Sequence, residues 1–158
     1  NLTRRIYGFD TFDGFPELSK KDISVASDHV KVGDLSANAY DELNELIRIH
    51  DSTRFLGHVQ KVELIKGDAV KTIPNFINKH PHLVVSLLYL DFDIYKPTKD
   101  CLDLIASRLT KGSVIGFDEL NDPDSPGETT ALMETFGLRN ISLKRYRYAS
   151  RVSYFIVE

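Results

Sequence analysis

No stretch of this chain is apolar for long enough to cross a bilayer, and no segment is repeated, low in complexity or composed like an interdomain linker. Those absences point to a single globular domain over residues 1–158 with no membrane partner. A chain of this length buries roughly 68–70% of the surface its unfolded form would expose. The composition, 42% hydrophobic and 27% charged, is that of an ordinary globular protein. Cysteine is nearly absent. Cys101 alone cannot form an internal disulfide, which favours a reducing, cytoplasmic setting, and its place in a helical pattern reads as a packed thiol. A basic excess is also missing: 20 Lys plus Arg against 23 Asp plus Glu give a net charge of −3, which excludes a general nucleic-acid footprint. The local basic group Lys144, Arg145, Arg147 and Arg151 reads as a solvated strand face, with a docking surface for a phosphorylated substrate as the alternative. No signal peptide is visible. The histidines make no metal motif, since His80 and His82 flank Pro81 and His29, His50 and His58 are scattered.

Acids at the ends of apolar runs are what the chain does have. Val84 to Leu90 is an apolar strand that stops at Asp91-Phe92-Asp93, and Gly112 to Phe117 stops at Asp118-Glu119. In an open parallel sheet, ligands bind beyond the carboxyl ends of the strands. Two neighbouring strands would therefore set Asp91, Asp93, Asp118 and Glu119 on one rim. Acids so crowded repel unless a cation sits among them, and a divalent metal is the economical choice.

The remaining pattern alternates strand with helix. Residues 5–10 read as a strand ending in Asp10, followed by a turn at Gly14 and Pro16, and residues 18–33 as a polar loop or lid. Tyr40, Leu43, Leu46 and Ile47 recur at helical spacing, predicting a helix from Ala39 to about His50 capped by Ser36 or Asn38. Residues 62–66 form a strand that ends at Gly67-Asp68, and a short helix follows with Pro74 near its first turn. Pro97 opens a helix whose face is Leu102, Ile105 and Leu109 and which Lys111-Gly112 closes. Pro126-Gly127 opens a helix over 128–136, and residues 141–147 and 152–157 form an antiparallel hairpin with a short turn. The fold class is α/β: a doubly wound, mostly parallel sheet with helices on both faces.

Three segments, Tyr7-Gly8-Phe9-Asp10-Thr11-Phe12-Asp13-Gly14-Phe15-Pro16, Leu90-Asp91-Phe92-Asp93-Ile94-Tyr95 and Gly112-Ser113-Val114-Ile115-Gly116-Phe117-Asp118-Glu119, resemble in order those of the macrocin O-methyltransferase family. Asp118 follows Asp91 by 27 residues, as the family's acidic pair follows its first metal aspartate. The resemblance implies a Rossmann-like class I fold and an S-adenosylmethionine-dependent, Mg2+-dependent transfer of methyl to a sugar hydroxyl, on a small sugar, nucleotide-sugar or glycan substrate. It implies Asp91, Asp118 and Glu119 as metal ligands and Asp93 as general base. Glu119 stands where the family usually has aspartate, and its extra methylene moves the carboxylate. Asp10 corresponds to the acid on the cofactor ribose, and Asp68 with Ala69 to the adenine contact. Tyr95 stands beside the substrate pocket or packs on the following helix. The family tends to form oligomers, so a homo-oligomer is expected.

One family feature is missing. No Gly-x-Gly-x-x-Gly occurs in the chain, which opens at the second strand of the fold, so the central first strand and its glycine-rich turn are expected to be absent. Their loss would leave unpaired strand edges and weaken cofactor binding. Two other functions remain open: a nucleotide-sugar glycosyltransferase that uses Asp91-Phe92-Asp93 as its metal-binding Asp-x-Asp, and a truncated, non-catalytic interaction module.

Overall fold

Helices and strands alternate through most of the chain, as the periodicities predict. The structure is a computed structural model that describes residues 2–27 and 30–158; Asp28 and His29, the latter one of the scattered histidines, lie outside the described residues, as does Asn1. The elements are β1 (Ile6–Asp10), α1 (Tyr40–Thr53), β2 (Val62–Lys66), α2 (Ala69–Lys79), β3 (Val85–Leu90), α3 (Tyr95–Ile105), β4 (Leu109–Phe117), α4 (Pro126–Thr135), β5 (Lys144–Arg145) and β6 (Ser153–Ile156).

β1 and β2 pair in parallel, from Ile6 opposite Val62 to Asp10 opposite Lys66. β3 and β4 also pair in parallel, and β6 runs antiparallel between β4 and β5. Among the described residues β1 and β3 are not hydrogen-bonded to each other, so the sheet lies in two pieces. The chain passes through α1 in going from β1 to β2 and returns through α2 towards β3. Right-handed crossovers in opposite directions put those two helices on opposite faces.

One side of the sheet carries the core. Leu90, Ile115, Phe117 and Phe155 from the strands pack with Ile73 and Ile77 of α2, Leu102 and Ile105 of α3, and Leu132 of α4. Side chains alternate along a strand, so the other face of β3 shows Leu87 (63% exposed) and Tyr89. α1 buries no residue. Cys101 is packed in the core, and burial raises its thiol to about 12, so it is inert as a nucleophile.

Several boundaries differ from the sequence expectation for local reasons. α1 runs on to Thr53 and its cap position is Ala39, which makes no side-chain capping bond, so neither Ser36 nor Asn38 caps it. Pro74 sits in the middle of α2, not in its first turn. The missing N–H is tolerated because buried Ile73, Phe76 and Ile77 dock the helix on the core. α3 ends at Ile105, and Lys111-Gly112 is not its terminus but an irregularity inside β4. There the register slips between Val85 and Leu87, and the Ser113 hydroxyl accepts from Thr110 N–H (3.0 Å) and donates to the Val85 carbonyl (2.8 Å). The final hairpin is shorter than expected, two residues of β5 against β6, and the 146–152 loop between them is correspondingly long.

The one-sided core gives a sharp contrast within the molecule. Leu102→Ala should cost about 2–5 kcal/mol in urea unfolding, whereas Leu87→Ala should stay within about 0.5 kcal/mol of the parent.

Candidate functional site

The parallel register of β3 and β4 builds the acidic rim. Leu90 lies opposite Phe117, so the residues that follow, Asp91 and Asp118, leave the sheet side by side, tied by Asp118 N–H donating to the Leu90 carbonyl (3.1 Å). The Tyr89 hydroxyl donates to Asp118 Oδ1 (2.5 Å). Burial, then that carboxylate, holds the Tyr89 phenol well above its ordinary pKa. Partial burial, followed by the fields of Asp118, Glu119 and Asp10, raises the Asp91 carboxyl. Asp93 is pushed up to about 6, first by burial and then by Glu119, Asp91 and Asp118, with Arg151 pulling the other way.

Asp93 is also conformationally unusual. Its φ is +60°, and Ile94 N–H donates back to the Phe92 carbonyl at 2.6 Å. That is the strained form of the three-residue turn, centred on the proposed base, and a non-glycine residue in the left-handed region costs roughly 1–3 kcal/mol.

A cavity of about 240 Å3 gathers the tips of β1, β2 and β3: Asp10, Asp68, Ala69, Asp91 and Asp93 all line it, with Phe9, Phe92 and Ile94 among its apolar walls. Asp10 is exposed at the end of β1, where one carboxylate oxygen accepts from Phe12 N–H (2.6 Å). The turn that follows is tight. Gly14 has φ +78°, and a Cβ on it would overlap the carbonyls of Gly33 and Asp34. Asp68 is the cap of α2, accepting from Val70 N–H (3.0 Å) and lying 3.3 Å from the Lys71 ammonium. A second hollow, about 520 Å3, is formed by the consecutive surface residues Arg145 to Ser150 and contains none of the strand-end acids.

Asp118 and Glu119 do not line the first cavity. Glu119 Oε1 is paired with the Arg151 guanidinium, which also lies 3.4 Å from Asp122 Oδ2. The cation on this rim is therefore an arginine of the chain itself, a residue the sequence reading placed on a solvated face. Among the described residues, no three His, Cys, Asp or Glu side chains converge closely enough to hold a metal ion. As placed, Asp118 accepts from the Tyr89 hydroxyl, Glu119 pairs with Arg151, and Asp91 alone of the three lines the cavity.

Sequence reasoning missed two buried carboxylates. Glu128, in the first turn of α4, is fully buried, and three backbone N–H groups donate to it: Phe92 (3.2 Å), Asp93 (3.4 Å) and Glu119 (3.2 Å). Burial pushes its carboxyl up to about 8 against the pull of those donors. Asp22, in the 3-10 turn Lys20–Asp22 of the expected lid, accepts from Ser19 N–H (2.7 Å) and from Tyr95 N–H at the start of α3 (2.5 Å). That segment is pinned, with Lys21 paired to Glu134 (2.5 Å) and the Ser24 hydroxyl donating to the Pro123 carbonyl (2.6 Å). Tyr95 contributes to the same corner, its hydroxyl donating to Glu134 (2.6 Å). An acid in a helix's first turn or in a polar loop is too ordinary to be marked by pattern alone.

Comparison with known proteins separates sequence from fold. No protein-family profile and no curated protein matches the chain. Solved structures do. The crystal structure of CalS11, a calicheamicin methyltransferase, superposes with a TM-score of 0.92 at 36% identity, covering 99% of this chain and 61% of that one. The apo structure of CalS11, described as a TDP-rhamnose 3'-O-methyltransferase of calicheamicin biosynthesis, gives 0.79 at 34% identity over 99% of this chain and 60% of that one. The O-methyltransferase NovP gives 0.72 over 98% and 60%, and its 18% identity speaks for the fold alone. The chain thus spans about three-fifths of the length of these relatives.

The charge arrangement predicts a titration. The Asp93 carboxyl should titrate near pH 6 by carbon-detected NMR, Glu119→Gln should lower that value by removing a like charge, and Arg151→Ala should raise it. Because the folded-state value lies above the unfolded one, the associated stability is complete below about pH 4 and is lost as pH rises through 6. In its strand order and along 99% of its sequence, the chain has the Rossmann-like fold of the class I methyltransferases.

Proposed function

We propose that the protein is an S-adenosylmethionine-dependent O-methyltransferase of the macrocin type, acting on a hydroxyl of a sugar or nucleotide-sugar. The observation that carries this is the cavity in which acids from three strand ends meet, at the sheet edge where such folds bind ligands. The relationship to a TDP-rhamnose 3'-O-methyltransferase supports the substrate class. The Asp-x-Asp alternative of a glycosyltransferase gains nothing from the three structures compared above, each of which is described as a methyltransferase.

S-adenosylmethionine supplies an electrophilic methyl group on a sulfonium. Asp10, at the end of β1, would accept from the ribose hydroxyls, and Ala69 with the adjoining Asp68 would meet the adenine edge; all three line the cavity. Asp93 would take the proton of the acceptor hydroxyl as the new O–C bond forms and the C–S bond breaks. At neutral pH a carboxyl raised to about 6 is mostly ionised, so it is both available and more basic than an ordinary aspartate. The turn centred on Asp93 fixes the base relative to the cavity and limits the conformations in which it can miss the hydroxyl. Arg151 balances Glu119 as placed, and dependence on Mg2+ is answered by comparing turnover with and without a chelator.

Asp93→Asn should lower kcat about 10²–10⁴-fold with little change in the affinity for S-adenosylhomocysteine, measured by radiolabelled methyl transfer to a TDP-deoxysugar and by calorimetry. Normal turnover by that variant would remove Asp93 from the mechanism. Protection of the parent by a nucleoside diphosphate and not by S-adenosylhomocysteine would instead favour the glycosyltransferase.

A further inference from the structure

The backbone that carries Asp93 has its hydrogen-bond donors met one after another, three of the four by groups from elsewhere in the fold. Phe92 and Asp93 N–H donate to Glu128 Oε1, Ile94 N–H closes the turn onto Phe92, and Tyr95 N–H donates to Asp22 Oδ1. The other oxygen of Glu128 accepts from Glu119 N–H, in the loop after β4. One buried side chain therefore grips both acid-bearing loops, and it does so from the first turn of α4, whose N-terminal partial charge favours a carboxylate there. The adjoining Gly127 lets this happen: a Cβ on it would overlap Asp22 Oδ1 and the Tyr95 nitrogen, so only glycine allows the helix to approach both the loop and its second clamp.

We propose that Glu128 is a positioning residue for methyl transfer, holding the strained Asp93 turn and the Glu119 loop in fixed relation across the ends of β3 and β4. The proposal rests on the reading of Asp93 as the base. A carboxyl group is required because three N–H donors converge on it from two sides, and each of its two oxygens accepts. Glutamine has the same size but a single acceptor oxygen, and its NH2 opposes whichever N–H group it faces. Burial makes an unmet donor costly, so the loop on the unmet side should move until its N–H finds water.

The test uses Glu128→Ala and Glu128→Gln in the full chain, with circular dichroism and melting to establish that each folds. Amide hydrogen exchange at Phe92, Asp93 and Glu119 should speed up about tenfold or more in the alanine variant, and in the glutamine variant on one side only. In turnover, kcat should fall about 10²-fold for alanine and less for glutamine, while the affinity for S-adenosylhomocysteine is retained. A merely structural Glu128 would lower the melting temperature and leave kcat per folded molecule unchanged, which would overturn the proposal, as would exchange at the three amides indistinguishable from the parent. A parent without methyl-transfer activity would count against the assigned reaction, and exchange would then decide alone whether Glu128 holds the two loops.

Discussion

The parallel pairing of β3 with β4 is the constraint on which the rest of the site depends. It fixes Leu90 against Phe117 inside the core, and by doing so delivers Asp91 and Asp118 to one rim with no freedom left to separate. Burial of the two strands under α2, α3 and α4 is driven by apolar area, while the cost appears at the rim as mutual repulsion between carboxylates. The apolar core thus holds together charges that would separate if the loops were free.

The rim is made tolerable by three different devices. Arg151 reaches back from the loop before β6 to pair with Glu119 and approach Asp122. The Tyr89 hydroxyl donates a hydrogen bond to Asp118. Raised proton affinity at Asp91, Asp93 and Glu128 lets part of the negative charge be neutralised by protons as the pH falls. Backbone N–H groups do the remaining work, and their convergence on Glu128 links the conformation of one loop to that of the other. Function at such a site depends on a narrow geometry, because the side chain that moves a proton is held by a turn with little intrinsic stability.

The two-piece sheet has a physical consequence of its own. Strands β1 and β2 are tied to the larger piece through α2 and through Phe9, which packs against the core, with no ladder of hydrogen bonds from β1 to β3. Tyr7 and Phe9 add ring contacts to Phe76 at 4.6 and 5.3 Å. The cavity spans this junction, so its shape depends on side-chain packing more than on backbone pairing.

Element type was legible in the sequence wherever apolar residues kept a period: β2 has the bounds its alternation predicts, and β1, β3, α1 and α4 lie within a few residues of theirs. Asp10, Asp68, Asp91, Asp93, Asp118 and Glu119 stood out because an acid directly after an apolar strand is visible as an abrupt change of pattern. The β4 irregularity was not legible, since Lys111-Gly112 reads equally as a helix stop, and neither was the proline inside α2, where tertiary packing outweighs local preference. Sequence by itself determined which acids stand at strand ends, because periodicity is local. Only the tertiary structure decided which of them share a cavity, that Arg151 is the cation beside Glu119, and that Glu128 and Asp22 are buried acceptors. Those relations join residues from 9 to 73 positions apart, and no pattern in a one-dimensional chain encodes such contacts.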